Sequence, residues 1–388
     1  MRRVAILGAT GVFGARLARH LARHPRGLGA LELLLVARGA ERLEALARDL
    51  RAPGGPAVRT RAVDLRRDLP GLLAAEAPWA VVDCSGPFQG MGHGTTEAVL
   101  EAGAHAVDLA DARDYLAGYA ALNGIARRAG VTGLAGASST PALSGAVARE
   151  LVSGWPEVER VEAAILPGGR GEVGRAVLEA VLGYAGRPVP VWRGGALAHV
   201  PGWIGGRALR VEGLGQRRVH PVETYDAERL GPLLGAREIR FHAGLESGVE
   251  RLGLGLVARL RRAGLAPDPR PLAAALVRLR RLTGLLCGDV GAMVVTAEGR
   301  DAAGAPLFAH WTLIAREGDG PQIPTLPAAA ALRALARGAA TPGAYVADDV
   351  LSRAEIEAEM GPYAITADLR RTGPDPRRAG HEFAMPGA

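Results

Sequence analysis

Arg3-Val4-Ala5-Ile6-Leu7-Gly8-Ala9-Thr10-Gly11-Val12-Phe13-Gly14 stands almost at the start of the chain. Its first five residues read as a short apolar strand. The next seven spell G-x-x-G-x-x-G, and Ala15–Arg23 carries Leu17, Ala18 and Leu21 at helical spacing. Strand, glycine turn and helix in this order form a dinucleotide-binding signature. Gly8 permits the tight turn, Gly11 lets the backbone approach a pyrophosphate, and Gly14 lets helix and strand pack closely. The helix N-terminus adds free N–H groups and the positive end of its dipole.

Further along, Leu31–Ala37 (LELLLVA) is nearly all apolar, as a strand buried on both faces should be. It ends at Arg38. An NAD-preferring site places an acid there for the ribose hydroxyls, whereas arginine suits a 2′-phosphate. Arg38 therefore argues for NADP(H), against the plainer reading of a surface arginine at a strand end. Val58–Val63 leads to Asp64, which either bonds to the adenine base or caps the helix around Leu65–Glu76. Ala80–Cys84 opens into Ser85-Gly86-Pro87-Phe88. Helix Gly94–Ala102, strand His105–Leu109, helix Tyr115–Ala129 and strand Val131–Ala135 complete the run. The alternation predicts an α/β fold: a Rossmann-type, doubly wound parallel sheet with ligands at the carboxyl ends of its strands.

Beyond Ala146 the alternation stops. Strands at Val161–Leu166 and Glu238–Ala243, and a hairpin of Gly291–Glu298 with Leu307–Ala315, predict a second α/β domain with a mixed or antiparallel sheet. Gly174–Tyr184, Leu254–Ala263 and Leu272–Leu286 read as helices. The last two are rich in leucine and arginine. Such helices can lie on a membrane surface, but more commonly cover a sheet or build a homodimer contact. Helix Ala328–Arg337 follows a proline-rich loop and returns to the first domain. The expected division is 1–145 for the dinucleotide domain, 146–325 for a substrate or dimerisation domain, 326–370 for the return and 371–388 for a flexible tail.

Composition narrows the function. The chain has 388 residues, 48% of them hydrophobic and 22% charged, as expected of one that buries a core. Two cysteines, Cys84 and Cys287, cannot build a disulfide framework or a zinc cluster. No apolar run is long enough to span a bilayer, and the immediate start of the first strand leaves no room for a signal peptide. A cytoplasmic protein is expected. All 47 basic residues are arginine, against 40 acidic ones, for a net charge of +7. Both signs are interspersed and only 4% of residues are aromatic, so nucleic-acid binding is not expected. Without lysine there is no side-chain Schiff base, no Walker lysine and no Tyr-x-x-x-Lys pair. Acid–base chemistry falls to His, Asp, Glu, Tyr or Cys.

The stretches GATGVFGARLA, VVDCSGPFQGMG, HAVDLADARDYLAGY and GASSTPALSGAV resemble the bacterial saccharopine dehydrogenase-like oxidoreductases. Arg237–Glu246 and Trp311–Ala330 fit the same group. The resemblance implies an NADP-binding Rossmann domain with a second α/β domain inserted before a C-terminal return. It implies hydride transfer to or from an imine carbon, or, as in relatives resembling enoyl reductases, a C=C bond of a lipid or polyketide. By position, Gly8, Ala9, Thr10, Gly11, Val12, Phe13 and Gly14 would hold the pyrophosphate, and Arg38 the 2′-phosphate. Ser85, Gly86 and Pro87 would line the ribose–nicotinamide end. Many relatives carry Asp where this chain has Ser138, so the saccharopine reaction itself does not transfer directly.

Candidate catalytic residues are Asp111, just past the strand His105–Leu109, and His93, in the loop after Pro87. Each has a bland alternative: Asp111 as a helix N-cap, His93 as a loop residue near a helix start. Cys84, His242 and His310 read as packed rather than reactive. Arg113, Arg170, Arg175 and Arg240 are candidates to clamp the carboxylate of a small-molecule substrate held in the interdomain cleft. A non-catalytic NADP-binding sensor or scaffold is the remaining reading.

Overall fold

The computed structural model describes residues 1–171, 175–266, 268–270, 273–284 and 287–372. It divides into two compact units: Met1–Leu143 with Gln322–Glu359, and Ser144–Pro321 with the residues from Met360 onward.

The first unit alternates strand and helix: β1 (Arg2–Leu7), α1 (Val12–Arg23), β2 (Leu31–Ala37), α2 (Ala40–Leu50), β3 (Ala57–Ala62), α3 (Leu65–Glu76), β4 (Ala80–Asp83), α4 (Gly94–Glu101) and β5 (His105–Asp108). Next come α5 (Arg113–Gly118), a 3-10 turn (Tyr119–Leu122), α6 (Asn123–Ala129) and β6 (Thr132–Ala135). The sequence suggested one helix over Tyr115–Ala129. The structure breaks it at the 3-10 turn, where Tyr119 turns its ring inward and is buried. Helical periodicity cannot register such a break, because 3.0 and 3.6 residues per turn diverge little over four residues.

With β15 (Gly343–Val346), from the later part of the chain, the sheet order is β15-β6-β5-β4-β1-β2-β3, with every pairing parallel. Strands β1 to β6 thus follow the doubly wound Rossmann order, whose switch point lies between β1 and β4. All seven residues of β2 are buried, which explains its unbroken apolar run. Leu17 and Leu21 of α1 are fully buried, each stabilising the unit by about 2 kcal/mol. Toward the strands' amino ends, Arg3, Arg59 and Arg61 pair with Glu32 and the buried Glu76. Part of the arginine excess is therefore scaffold.

The second unit contains α7 (Ser144–Leu151), β7 (Glu157–Leu166), α8 (Arg175–Tyr184), β8 (Pro188–Arg193), β9 (Ala196–Pro201), β10 (Arg207–Val211), β11 (Gly215–Pro221), α9 (Asp226–Leu234) and β12 (Glu238–Gly244). It continues with α10 (Gly248–Arg262), α11 (Ala273–Thr283), β13 (Gly291–Arg300) and β14 (Pro306–Ala315). With β16 (Ile365–Thr372), its sheet runs β10-β11-β12-β7-β13-β14-β16 and is mixed: β12 and β7 are parallel, the other neighbours antiparallel. One cluster of its core joins Ala164, Leu166, Leu209, Val219 and Val294.

The chain then returns to the first unit. After α12 (Leu326–Ala336), β15 (Gly343–Val346) pairs with β6, and α13 (Arg353–Ala358) follows. His20 of α1 and Arg333 of α12 both bind Glu359, with Nε2 to Oε2 at 2.7 Å in the histidine's case. The return is shorter than 326–370. Residues from Met360 belong with the second unit, where β16 (Ile365–Thr372) pairs along β14. Residues 371 and 372, expected to begin a tail, are the last of that strand. In it Ile365, Ala367 and Leu369 alternate with Thr366, Asp368 and Arg370 until Arg371 breaks the pattern, and its charges suit an edge strand. The expected tail from residue 373 onward, and the expected helix ends at Gly174, Leu272 and Leu286, lie outside the described residues.

Candidate nucleotide and acid–base site

The glycine loop is built so that side chains would obstruct it. Gly8 has φ +70°, and a Cβ there would stand 2.9 Å from the carbonyl oxygen of Cys84 and 2.9 Å from Ser85 Cα. The loop after β1 thus packs backbone to backbone on the end of β4. A Cβ on Gly14 would lie 2.4 Å from the Gly8 carbonyl oxygen, so the first turn of α1 rests on the same loop. Gly11 differs. It is exposed, it is the N-cap of α1, and its N–H donates to the Gly8 carbonyl at 2.8 Å. No side chain caps α1 and its first turn holds no acid, whereas Asp64, Ser247 and Ser352 cap α3, α10 and α13. The first N–H groups of a helix have no intrahelical acceptor, so this end presents donors and a partial positive charge outward. Ala9 is buried, Thr10, Val12 and Phe13 are half-buried, and together they frame that end.

Arg38 follows the last residue of β2. It is exposed and makes no ion pair with the described residues. Arg42, in the first turn of α2, folds back over the next residue, Gly39: a Cβ there would be 3.6 Å from Arg42 Nε. The sequence reading missed Arg42; its place in the first turn after the strand-end arginine was the available signal. Asp64 accepts the Arg66 N–H at 3.2 Å and is the N-cap of α3, so its capping role is observed.

At the end of β4, the backbone N–H and hydroxyl of Ser85 both donate to Asp83 Oδ1, at 2.8 and 2.6 Å. The Ser85 hydroxyl is thus committed within the protein. Gly86 holds the turn close to Phe88: a Cβ there would be 3.1 Å from the ring. Pro87 is exposed. Burial raises the Asp83 pKa, and the Ser85 bonds oppose that shift. Burial, aided by Asp83 and Asp108, holds the Cys84 thiol protonated, which argues against a nucleophile.

Asp108, the last residue of β5, was not among the sequence candidates. It is paired in register with Asp83 and only 1% exposed. Its Oδ1 accepts the Ala110 and Gly136 N–H groups at 3.0 and 2.8 Å, and its Oδ2 accepts the Tyr115 hydroxyl at 3.2 Å. One carboxyl therefore ties together the β5 loop, the end of β6 and helix α5. Thr96 Oγ1 lies 2.9 Å from the Tyr115 hydroxyl and extends the network into α4. Burial pushes the Asp108 pKa up to about 7, with Asp83 adding to the rise and the hydrogen bonds opposing it. In sequence Asp108 reads as one more residue of an apolar strand, which hid it.

The two candidate catalytic residues have different partners. Asp111 is exposed and accepts from Gln89 Nε2 at 3.0 Å. It does not cap α5, whose N-cap is Ala112 with no side-chain bond. His93 is the N-cap residue of α4. Its Nε2 donates to the Tyr115 carbonyl at 2.8 Å, and its ring packs on Tyr115 and Tyr119 at 4.5 and 5.8 Å. A Cβ on Gly118 would strike it at 2.9 Å. His93 therefore has a packing role in this structure.

The chain is similar in fold to a yeast saccharopine dehydrogenase. That structure, the L-Glu-forming enzyme from Saccharomyces cerevisiae without ligand, matches with a TM-score of 0.66 at 14% identity, over 96% of this chain and 100% of that one. A probable dehydrogenase from Thermotoga maritima matches with a TM-score of 0.44 at 10% identity, over 92% and 94%. No protein-family model matches the chain. No curated protein matches it in sequence.

In the second unit, Glu162 of β7 is buried between Arg207 of β10 and His242 of β12, whose Nδ1 is 2.9 Å away. Burial would raise the Glu162 pKa, but His242 and Arg207 outweigh it and hold it at about 2. His242 is thus structural, as expected. Arg240 pairs with Glu238 at 2.7 Å and Arg113 with Asp114 at 2.8 Å. Arg170 is exposed, with its backbone N–H on the Gly288 carbonyl. The side chain of Arg175 lies outside the described residues. Among the described residues no cluster of His, Cys, Asp and Glu could hold a metal, and no helix is long and apolar enough to cross a membrane.

Proposed function

We propose that this chain is an NADP(H)-dependent oxidoreductase of the saccharopine dehydrogenase-like kind, moving a hydride to or from a C=N bond of a small-molecule substrate. The observation that carries the reading is the combination of an open, side-chain-free helix start at Gly11 with an exposed Arg38 guanidinium that makes no ion pair among the described residues. The first suits a diphosphate, and the second, with Arg42, a 2′-phosphate. A bound nicotinamide would supply the redox chemistry. The protein would bind, orient and manage one proton. Backbone amides of Gly11–Gly14 would hold the diphosphate, and Ser85, Gly86 and Pro87 would border the ribose–nicotinamide end. Asp111 is the exposed acid at that sheet edge, where a carboxylate open to solvent could exchange a proton with substrate. Asp108 would act through position, fixing the two loops whose amides it binds.

A second reading, a non-catalytic NADP-binding sensor, draws support from the internal satisfaction of His93, Asp83 and Asp108. Calorimetry with NADPH and NADH tests the cofactor assignment: tighter uptake of NADPH supports it, and uptake of neither removes it. Sustained NADPH oxidation with an imine, or with an enoyl substrate, separates an enzyme from a sensor and a C=N from a C=C reaction.

A further inference from the structure

Helix α10 turns its apolar side outward. Val249, Leu252 and Leu256 are 73%, 72% and 57% exposed, Leu260 is 36% exposed, and Leu265, in the turn beyond, 75%. Steps of three, four and four residues place the first four on one helical face. The fifteen residues of α10 extend about 22 Å. These are five of the nine large hydrophobic residues exposed among those described. The others, Met1, Met91, Leu197 and Leu233, are scattered over the sequence. The inner face is made of small residues: Gly255 and Ala258 are buried, and Gly186 packs directly on the Ala258 backbone.

Charge identifies the occupant. The exposed charges of α10 are Arg259 and Arg262, and the exposed residues of the helix include no acid. Its single carboxylate, Glu250, is half-buried and accepts the Thr283 hydroxyl at 2.6 Å. A second copy of α10 laid on this one would set Arg259, at the edge of the leucine face, against a helix that exposes no carboxylate to neutralise it. A bilayer with anionic headgroups supplies both an acyl boundary for the leucines and phosphates for the arginines. We propose that the outer face of α10, from Val249 to Leu265, docks the protein on an anionic lipid surface, lying in the interface rather than crossing it.

The test is flotation of the full-length chain with vesicles of phosphatidylcholine alone or mixed with about one-third phosphatidylglycerol. Binding to the anionic vesicles, weakening as salt rises, is expected. Leu252→Glu with Leu256→Glu should reduce it at least about tenfold. Arg259→Glu with Arg262→Glu should reduce it about fivefold per residue and remove the preference for phosphatidylglycerol. Because these side chains are exposed, the variants should keep the far-ultraviolet circular dichroism and melting profile of the parent. Absence of flotation, or flotation unchanged in the leucine variant, overturns the proposal. So does a concentration-dependent dimer that the leucine variant abolishes, since that assigns the face to a second copy.

Discussion

Replacing Asp108 with asparagine separates the charge of this buried carboxyl from its hydrogen bonds. The asparagine carbonyl can accept the Ala110 and Gly136 N–H groups as Oδ1 does, while its amide replaces Oδ2 and meets the Tyr115 hydroxyl. The acid's pKa rises from 3.8 to about 7 on folding. The folded state then holds the proton more tightly than the unfolded state, so this group's stability contribution is complete below about pH 4. It is lost as pH climbs toward 7. A shift of about three units corresponds to about 4 kcal/mol, with some 3 kcal/mol of it falling between pH 5 and 8. The groups facing Asp108 are Asp83 and Cys84 of β4, and Tyr115 and Tyr119. Asp83 titrates with it, so the transition belongs to the pair.

Hydrogen exchange is the suitable assay, because two units need not unfold together. Protection of the peptides spanning Ala110 and Gly136, corrected for the intrinsic pH dependence of exchange, should fall between pH 5 and 8 in the parent. In Asp108→Asn it should stay nearly level. At pH 8, above both pKa values, the parent has lost the whole of that roughly 4 kcal/mol, so the variant should exceed it by about 3 kcal/mol, after about 1 kcal/mol for the weakened Tyr115 bond. Parent protection that is flat or rises with pH, or an equal slope in the variant, would refute the account of Asp108.

Other outcomes follow from the same geometry. Arg38→Asp should weaken NADPH at least about tenfold more than NADH in calorimetry, since a carboxylate replaces the cation facing a 2′-phosphate; equal losses would reject that role. Gly11→Val should abolish nucleotide binding with the melting profile retained, because a Cβ there meets only the Gly8 carbonyl, at 3.1 Å. Gly14→Val should instead lower stability by about 3 kcal/mol or more, because its Cβ position overlaps that carbonyl at 2.4 Å. Glu162→Gln should destabilise the second unit at neutral pH, leaving Arg207 and His242 without their anion. In the parent, the Glu162 contribution is present above about pH 4.5 and is lost as pH falls toward 2; acid unfolding monitored at Trp192 or Trp311 fluorescence would show it. Asp111→Asn should lower kcat on an accepted substrate while leaving NADPH affinity within about twofold.

The first unit was legible because it depends on local rules. A strand buried on both faces must be apolar along its whole length, and a turn with φ +70° against a neighbouring backbone admits glycine alone. Those rules act within a few residues, so Arg3–Gly14 and Leu31–Arg38 declared the Rossmann half at once. The second sheet was legible in kind but not in layout. Which strand neighbours which is set by pairings as distant as Arg160 with Glu238, and no short pattern encodes a long-range register.

Chemistry divided in the same way. Asp64 beside a helix start gave no means to choose between base and N-cap until the Arg66 N–H was seen on it. His93 looked available until Tyr115 and Tyr119 closed around it. Asp108 stayed hidden because its importance comes from partners at Gly136 and Tyr115, drawn from different elements, and from a burial that no one-dimensional reading supplies. The leucines of α10 carry the lesson in reverse. Their spacing announced an amphipathic helix, but the direction of its apolar face is a property of what the rest of the molecule packs against it, and here the packing uses Gly255 and Ala258. Backbone conformation and strand burial are local constraints and leave their mark on composition; hydrogen-bond partners, desolvation and exposure arise only when distant segments meet.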